Sequence, residues 1–440
     1  MCDRLLFALG LSCFSDRLWD FGFPILLASS DPTHALFVAA LVMLSSQVAS
    51  FIFSPHLGLL LEGSDKFKAL CFAVVGQNGS TVVLSTALIM SEYNWFFYVL
   101  TAFFSSAATL SSTCERVILT QEWAPLLMEG KSDVERAAYN ARIRQVYLVT
   151  KIVAPLVAGS TFSVLSSTVA SLAFICGWNV VSCILELYLL HDIWKALPKL
   201  QQKKKNSSPA TSVVDDSRSK SSSSSSATAA SSSSSSSIIR VANIFLSHAL
   251  LPCMMAYSLL FATVLCPGSL LHLHLLSAHG VSETSLAFFQ AACSSCGVIG
   301  TFLLVQFMSV TGWKIEKSAG LFMFFQVSCL WIACSSLWIF NLPLVFLAFL
   351  AMSRVGLWGF DVAHLQIMQL GLVDSPHRAL ISTVQTGLCD LFSLFVAIPA
   401  LWWSSQKAVE ALMISSLAAV STSLVLFCVW LSRAEKGKRE

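Results

Sequence analysis

The sequence predicts an all-α membrane protein that crosses the bilayer about twelve times, in two six-helix lobes. Three observations predict it. Hydrophobic side chains make up 55% of the 440 residues and charged ones 12%, with a mean hydropathy of +0.73. A soluble domain carries about 25% charged residues, so about half the usual charge is missing. Apolar stretches of about 20 residues, the length that spans a hydrocarbon core, recur along the whole chain. One low-complexity tract, "KSSSSSSATAASSSSSSS", divides those stretches into two equal sets.

Predicted helices 1 to 6 cover Leu5–Ala28, Ala35–Leu61, Ala69–Met90, Trp95–Leu119, Ile143–Val164 and Val169–Leu190. Helices 7 to 12 cover Val241–Leu276, Leu286–Phe307, Ala319–Phe340, Leu342–Leu370, Ile381–Trp403 and Ala408–Leu431. The chain therefore divides into an N-terminal lobe (1–194), a Ser/Lys-rich linker (195–239), a C-terminal lobe (240–432) and a basic tail (433–440). The linker cannot bury enough apolar surface to fold and is expected to be flexible. Two six-helix halves about a linker are the layout of major-facilitator-type transporters.

Basic residues set the expected orientation. Alternate loops hold Lys66 and Lys68, then Lys131, Arg136, Arg142 and Arg144, the linker, Lys314 and Lys317, Arg378, and the tail with Arg433, Lys436, Lys438 and Arg439. The opposite loops hold only Lys407. By the positive-inside rule both termini and the linker are expected in the cytoplasm. A net charge of +3 suggests no nucleic-acid partner. Most of the 14 cysteines sit in apolar runs, as reduced, small hydrophobes. No cleavable signal peptide is expected, because Asp16, Arg17 and Asp20 interrupt the first apolar stretch.

Those three charges are the first that do not belong in lipid, where each costs at least about 2.5 kcal/mol. Asp16 and Asp20 lie four apart and share a helix face. Two carboxylates there suit a divalent cation or a proton, unless Arg17 merely neutralises one of them near the interface. Asn179 and Glu186 share a face of helix 6, and helix 3 adds Gln77 and Asn78. Acid and amide oxygens from three helices are the donor set of a cation site, although membrane amides more often bond between helices. Glu115 and Arg116 are expected near the end of helix 4, Arg354 and Asp361 to pair across two turns, and Lys151 to snorkel. Cys266-Pro267-Gly268-Ser269 is expected to break helix 7 in mid-span, as breaks at membrane depth do where they line a cavity. His272 and His274 face apart on a helix, and Cys293 and Cys296 lack a second pair, so packing explains both better than metal.

With these residues placed, the chain resembles the ferroportin family of iron exporters. The resemblance rests on "DRLWDF" (Asp16–Phe21), "VVGQN" in helix 3, "NARIR" with "KIVAPLVAG" in helix 5, "GWNVVSCILELYLL" in helix 6, "SRVGLWGFDVAHLQ" in helix 10 and "VQTGLCDLF" in helix 11. It covers nearly all of both lobes and omits the linker. It implies export of ferrous iron, as substrate, from the cytosol by alternating access. A monomer is expected, in the plasma membrane by default or else in a vacuolar or vesicle membrane, both of which put the cytosol on the same side. It also implies a metal site at Asp16, Gln77, Asn179 and Glu186, positions that in the family bind divalent cations including calcium. Asp20 stands where animal members commonly have histidine. A hard oxygen in place of a borderline nitrogen would broaden selectivity toward ions such as manganese.

Other departures concern the second lobe. The family's helix 7 cysteine aligns with Ser269 and its helix 11 histidine with Val396, leaving Cys266 and Asp390 as nearby substitutes in a second metal site. Vertebrate members bind the hormone hepcidin through that cysteine, so such regulation is not expected here. Gly58, Glu62 and Lys66 in "GLLLEGSDK", with Glu122 in "TQEW", resemble the elements that lock a major-facilitator inner gate. Tyr147 stands where the family has an acid. No prosthetic group and no nucleotide-binding or hydrolytic motif is seen, so neither an enzyme nor an ATP-driven pump is expected. The rival readings are a carrier of a small organic solute on the same fold and a non-transporting scaffold. Neither needs converging acids and amides.

Overall fold

The computed structural model describes residues 1–30, 35–90, 95–165, 167–197, 239–265, 271, 275, 281, 283–402 and 406–436. The first half comprises α1 (Cys2–Ser30), α2 (Ala35–Gly63), α3 (Lys66–Met90), α4 (Trp95–Val117), α5 (Asp133–Leu165) and α6 (Thr168–Ala196). In the second half α7 is a bent pair, Ile239–Leu246 and Leu251–Leu259. It is followed by α8 (Glu283–Thr311), α9 (Ile315–Trp338), α10 (Pro343–Gly371), α11 (Arg378–Trp402) and α12 (Gln406–Lys436). No strand occurs among the described residues.

Ten of these helices are long and apolar enough to cross a membrane, eleven with the bent pair counted as one span. The remaining helix, α1, is 29 residues long but carries Asp16, Arg17 and Asp20. Side chains such as Phe72, Phe103, Val164 and Val310 stand more than half exposed on the outer faces, where hydrocarbon is their natural solvent.

Local chemistry sets the helix ends. The Asp65 carboxylate accepts from the backbone N–H groups of Phe67 (3.0 Å) and Lys68 (3.3 Å), capping α3. Ser132 and Glu135 form a reciprocal capping box: Glu135 accepts from the Ser132 N–H at 2.9 Å, and Ser132 Oγ accepts from the Glu135 N–H at 3.3 Å. That box starts α5 ten residues before the predicted Ile143, because the polar first turns lie ahead of the apolar span.

Two features bear on the site. α4 runs on as a π-helix, Ile118–Trp123, and a final turn, Ala124–Leu127. Pro125 has no N–H to return to the carbonyl of Gln121, so that carbonyl is free for another partner. The second feature is α7, whose two segments meet at 97° around residues 247–250, just before Pro252 in the first turn of the second segment. Sequence reading put the break at Cys266–Ser269; those residues lie outside the described ones, as do His272 and His274. The bend at 247–250 is an interruption that the apolar pattern of Val241–Leu276 concealed.

The apolar cores centre on one half or the other and touch across the junction, where Ala137 and Ala141 join the second-half cluster and Ala379 a first-half one. The second half packs around one cluster that includes Cys253, Met323, Phe346, Phe360 and Phe427, with Cys293 inside it and Cys296 against it. The first half has two clusters, one around Leu70, Ile118 and Trp123 and the other around Leu18, Phe97 and Ile175. The polar network described next lies on the helices that connect these two.

Candidate metal centre

The site is built on the inward faces of α1, α3, α4 and α6. Asp16 accepts from Gln77 Nε2 at 2.6 Å and from Ser112 Oγ at 3.0 Å. Gln77 Nε2 also lies 3.2 Å from Ser12 Oγ, and Ser12 donates to Glu115 Oε2 at 3.0 Å. On the other flank Trp178 Nε1 donates to Ser15 (3.1 Å), Ser15 to Ser182 (3.0 Å) and Ser182 to Glu186 Oε1 (2.6 Å). Asp16, Glu115 and Glu186 are close enough to act on one another electrostatically.

Three oxygens among these residues are buried without a hydrogen-bond partner, Gln77 Oε1, Glu115 Oε1 and Glu186 Oε2, as is Oδ1 of Asn78, next in sequence to Gln77. A buried acceptor left unpaired costs about 1–3 kcal/mol, more if charged. Acid and amide acceptors left unpaired in this way are the complement of a cation. Among the described residues no three His, Cys, Asp or Glu side chains are gathered tightly enough to hold a metal by themselves, so amide and hydroxyl oxygens would share the coordination.

The predicted residues fare differently. Asp16 and Gln77 are bonded to each other, whereas Glu186 ends the separate serine chain and acts on Asp16 and Glu115 electrostatically. Asn179 is buried, with its amide nitrogen on the Ile175 carbonyl of its own helix at 2.9 Å. Asp20 stands apart: 58% exposed, it is paired with Arg17 at 3.0 Å and has Lys151 as an electrostatic neighbour. Glu115 and Arg116 were expected together near the end of helix 4, and as adjacent helical residues they point apart. Arg116 turns to Thr113 at 3.2 Å, leaving Glu115 to the network. The signal that could have found it is an acid followed by an apolar run, with hydroxyls one turn before it at Ser111 and Ser112.

In the second half Cys266 and Ser269 lie outside the described residues. Asp390 accepts from Ser50 of α2, so its carboxylate is engaged where the halves meet. The expected Arg354–Asp361 pair is not formed. Arg354 donates to the Leu265 carbonyl, while Asp361 is 2.6 Å from Arg144 of α5 and accepts from Tyr257 at 2.6 Å. Two turns along one helix bring side chains near each other, but a buried guanidinium takes whichever acceptor is closest.

At the Lys/Arg-rich end the halves are fastened together. Glu62 of α2 lies 3.1 Å from His377 Nδ1 through each oxygen. Lys66 is 3.6 Å from Glu122 and 2.7 Å from the Leu61 carbonyl, both in its own half. Thus Gly58, Glu62 and Lys66 do not close on one another; Glu62 reaches across and Lys66 does not. The π-helical turn supplies two further fastenings. Gln369 Nε2 donates to the Thr120 carbonyl at 2.7 Å, and Arg378 Nη1 to the freed Gln121 carbonyl at 3.1 Å. Asn140 and Gln369 also bond amide to amide at 2.8 Å.

Fold and span pattern together define a multi-pass membrane protein of the major-facilitator type. The E. coli fucose:proton symporter FucP superposes with a TM-score of 0.64 at 13% identity, covering 98% of each chain. The Ferroportin1 (FPN1) family model matches residues 2–420, and the chain belongs to that family. Solute carrier family 40 member 2 of Arabidopsis thaliana is 24% identical over 97% of this chain and 88% of its own length. The Homo sapiens protein named ferroportin is 24% identical over 43% of this chain and 35% of its own. A bacterial homologue of ferroportin in its outward-facing state superposes with a TM-score of 0.82 at 22% identity, covering 98% of this chain and 99% of its own. Its inward-facing form gives 0.61, also at 22% identity and covering 98% of each chain.

Proposed function

We propose that the chain exports divalent metal from the cytosol by alternating access, with ferrous iron as the leading substrate. The observation that carries this reading is the Asp16 network, with the unpartnered buried oxygens of Gln77, Glu115 and Glu186 beside it on α3, α4 and α6. Asp16 would supply the principal charge, Gln77 and Glu186 further oxygens, and Glu115 a third carboxylate. Such an all-oxygen set also accepts calcium. Asp20, held by Arg17 in this state, is a residue the ion would pass rather than a ligand. The fastened end, bearing Glu62–His377, Arg144–Asp361 and Arg378, is the inner gate in its closed position. Family membership supports the assignment. The test is efflux from proteoliposomes loaded with Fe²⁺, and in parallel with Mn²⁺, Co²⁺, Ni²⁺ and Zn²⁺; absence of efflux for all five would defeat it.

The orientation belongs to the same proposal: termini and linker in the cytosol. A peptide tag in the serine tract near Ser225 should be reached by antibody only in permeabilised cells, and labelling of intact cells would reverse the topology.

The gate carries its own expectation. Glu62→Ala removes the His377 contact while leaving Lys66 with Glu122. A half-buried pair of this kind is worth about 1 kcal/mol, so the open population at the basic end should rise roughly fivefold. Modification rates of cysteines engineered beside Arg378 would report it, and an unchanged or slower rate would remove Glu62 from the gate.

A further inference from the structure

We propose that a groove on the lipid-facing side of the first half holds one phospholipid of the phosphatidylethanolamine type, from the leaflet at the basic end. The groove, of about 580 Å³, runs between α1 and α5 and reaches Trp178 of α6. That volume lies within the range of ligand sites, about 300–1,000 Å³. Gly10 forms its floor. A Cβ there would stand 3.7 Å from Val146 of α5, in ordinary contact, so the channel is open because this residue has no side chain.

The walls suit an acyl chain. Phe7, Phe14, Val149 and Val153 line them, and Trp178 packs edge-on against Phe14 at 5.0 Å. Phe7, Val149 and Val153 are 59%, 48% and 40% exposed. They face hydrocarbon, because α5 turns its opposite face, with Arg144, to Asp361 of the second half. From Asp3 to Phe14 the groove follows α1 for about 16 Å at the helical rise. Half of a bilayer's hydrocarbon core is about 15 Å, so the groove has the depth of one leaflet.

The two charges of the groove, Arg142 and Asp3, are gathered at its basic end, and neither forms an ion pair or side-chain hydrogen bond among the described residues. Gly10 faces Val146 and Asp3 neighbours Tyr139, each seven residues earlier, so the two helices run parallel. Asp3 therefore lies about one turn further out than Arg142. Unpaired charges at the edge of hydrocarbon ask for a partner. A phosphatidylethanolamine head group offers its charges in the same order, phosphate beside the glycerol and ammonium an ethylene link further out. Arg142 would take the phosphate oxygens through its paired N–H donors, and the Asp3 carboxylate would accept from the ammonium. A choline head group has no N–H to give, and Asp3 repels an anionic one.

The test is native mass spectrometry of the full-length protein in detergent. Phosphatidylethanolamine, phosphatidylcholine and phosphatidylglycerol with the same acyl chains are added in turn. Wild type should retain one phosphatidylethanolamine about tenfold more tightly than either of the others. Asp3→Asn should bring its retention down to that of phosphatidylcholine, and Arg142→Gln should weaken it as far. Both residues are exposed, so neither change endangers folding. Gly10→Leu, which fills the floor and favours the helix, should expel the lipid. Asp16→Asn should leave retention unchanged, so this site and the metal site can fail separately. Equal retention of all three lipids by wild type overturns the proposal and leaves ordinary bilayer lipid in the groove. A preference for phosphatidylethanolamine that survives both Asp3→Asn and Arg142→Gln overturns it as well.

Discussion

Replacing Asp16 by Asn should reduce metal efflux about 100-fold or more while the protein still folds and inserts. Asn keeps the volume: its carbonyl oxygen can keep the bond that Oδ1 accepts from Gln77 Nε2 at 2.6 Å, and Ser112 Oγ, which donates to Oδ2 at 3.0 Å, can turn to accept from the new amide. What it removes is one negative charge. At an effective dielectric near 20, two unit charges 4 Å apart interact by about 4 kcal/mol, and each 1.4 kcal/mol is tenfold in binding. Dehydration of the ion offsets part of this, so about two decades is the expected loss. Asp20→His in the same assay should change efflux less than threefold, because Asp20 is more than half exposed and tied to Arg17. Efflux and calorimetric metal binding on purified protein would be measured together. An Asp16→Asn protein that binds and transports like wild type would remove the oxygen site and bring the organic-solute reading forward.

How much of this was legible in the sequence depends on the range of the interaction. The spans were legible because a bilayer imposes about 20 apolar residues regardless of context, and α6 begins within a residue of its predicted start. α5 began early because a capping box, not hydropathy, starts it. Asp16, Gln77 and Glu186 were legible because charge and amides in lipid demand a reason. Asp20 was equally conspicuous, yet helix position alone does not tell whether a neighbouring arginine is folded onto it. Contacts between the halves were illegible for a different reason. Glu62 and His377, or Arg144 and Asp361, lie more than 200 residues apart, and nothing local to either residue encodes its partner. Gln121 is the intermediate case: Pro125 four residues on announces a free carbonyl, though not that Arg378 takes it.

The strongest test of that junction is Gly58→Val, which should hold the basic end open and abolish turnover. Gly58 lies at a close crossing of α2 and α11. A Cβ there would come within 2.6 Å of the Leu380 Cα and would also strike Thr383 Oγ1. The threonine can rotate; the Leu380 backbone cannot move without carrying α11 away from α2. Overpacking of this kind costs about 1–3 kcal/mol in a rigid core, and a branched side chain belongs at the upper end. The cost falls only on the state in which α2 and α11 touch. Three kilocalories against that state is about 150-fold in the ratio of closed to open. Separating the helices would also lengthen Glu62–His377 and pull Ser50 from Asp390, so the contacts that favour closure are lost together. Each half keeps its own apolar core, so the protein should still fold and reach the membrane. Metal should still bind from the basic side, while efflux falls to background. Cysteines engineered beside Arg378 should react at a rate independent of metal. A Gly58→Val protein that transports normally, or whose basic end stays protected, would mean that α2 and α11 do not need this contact to close.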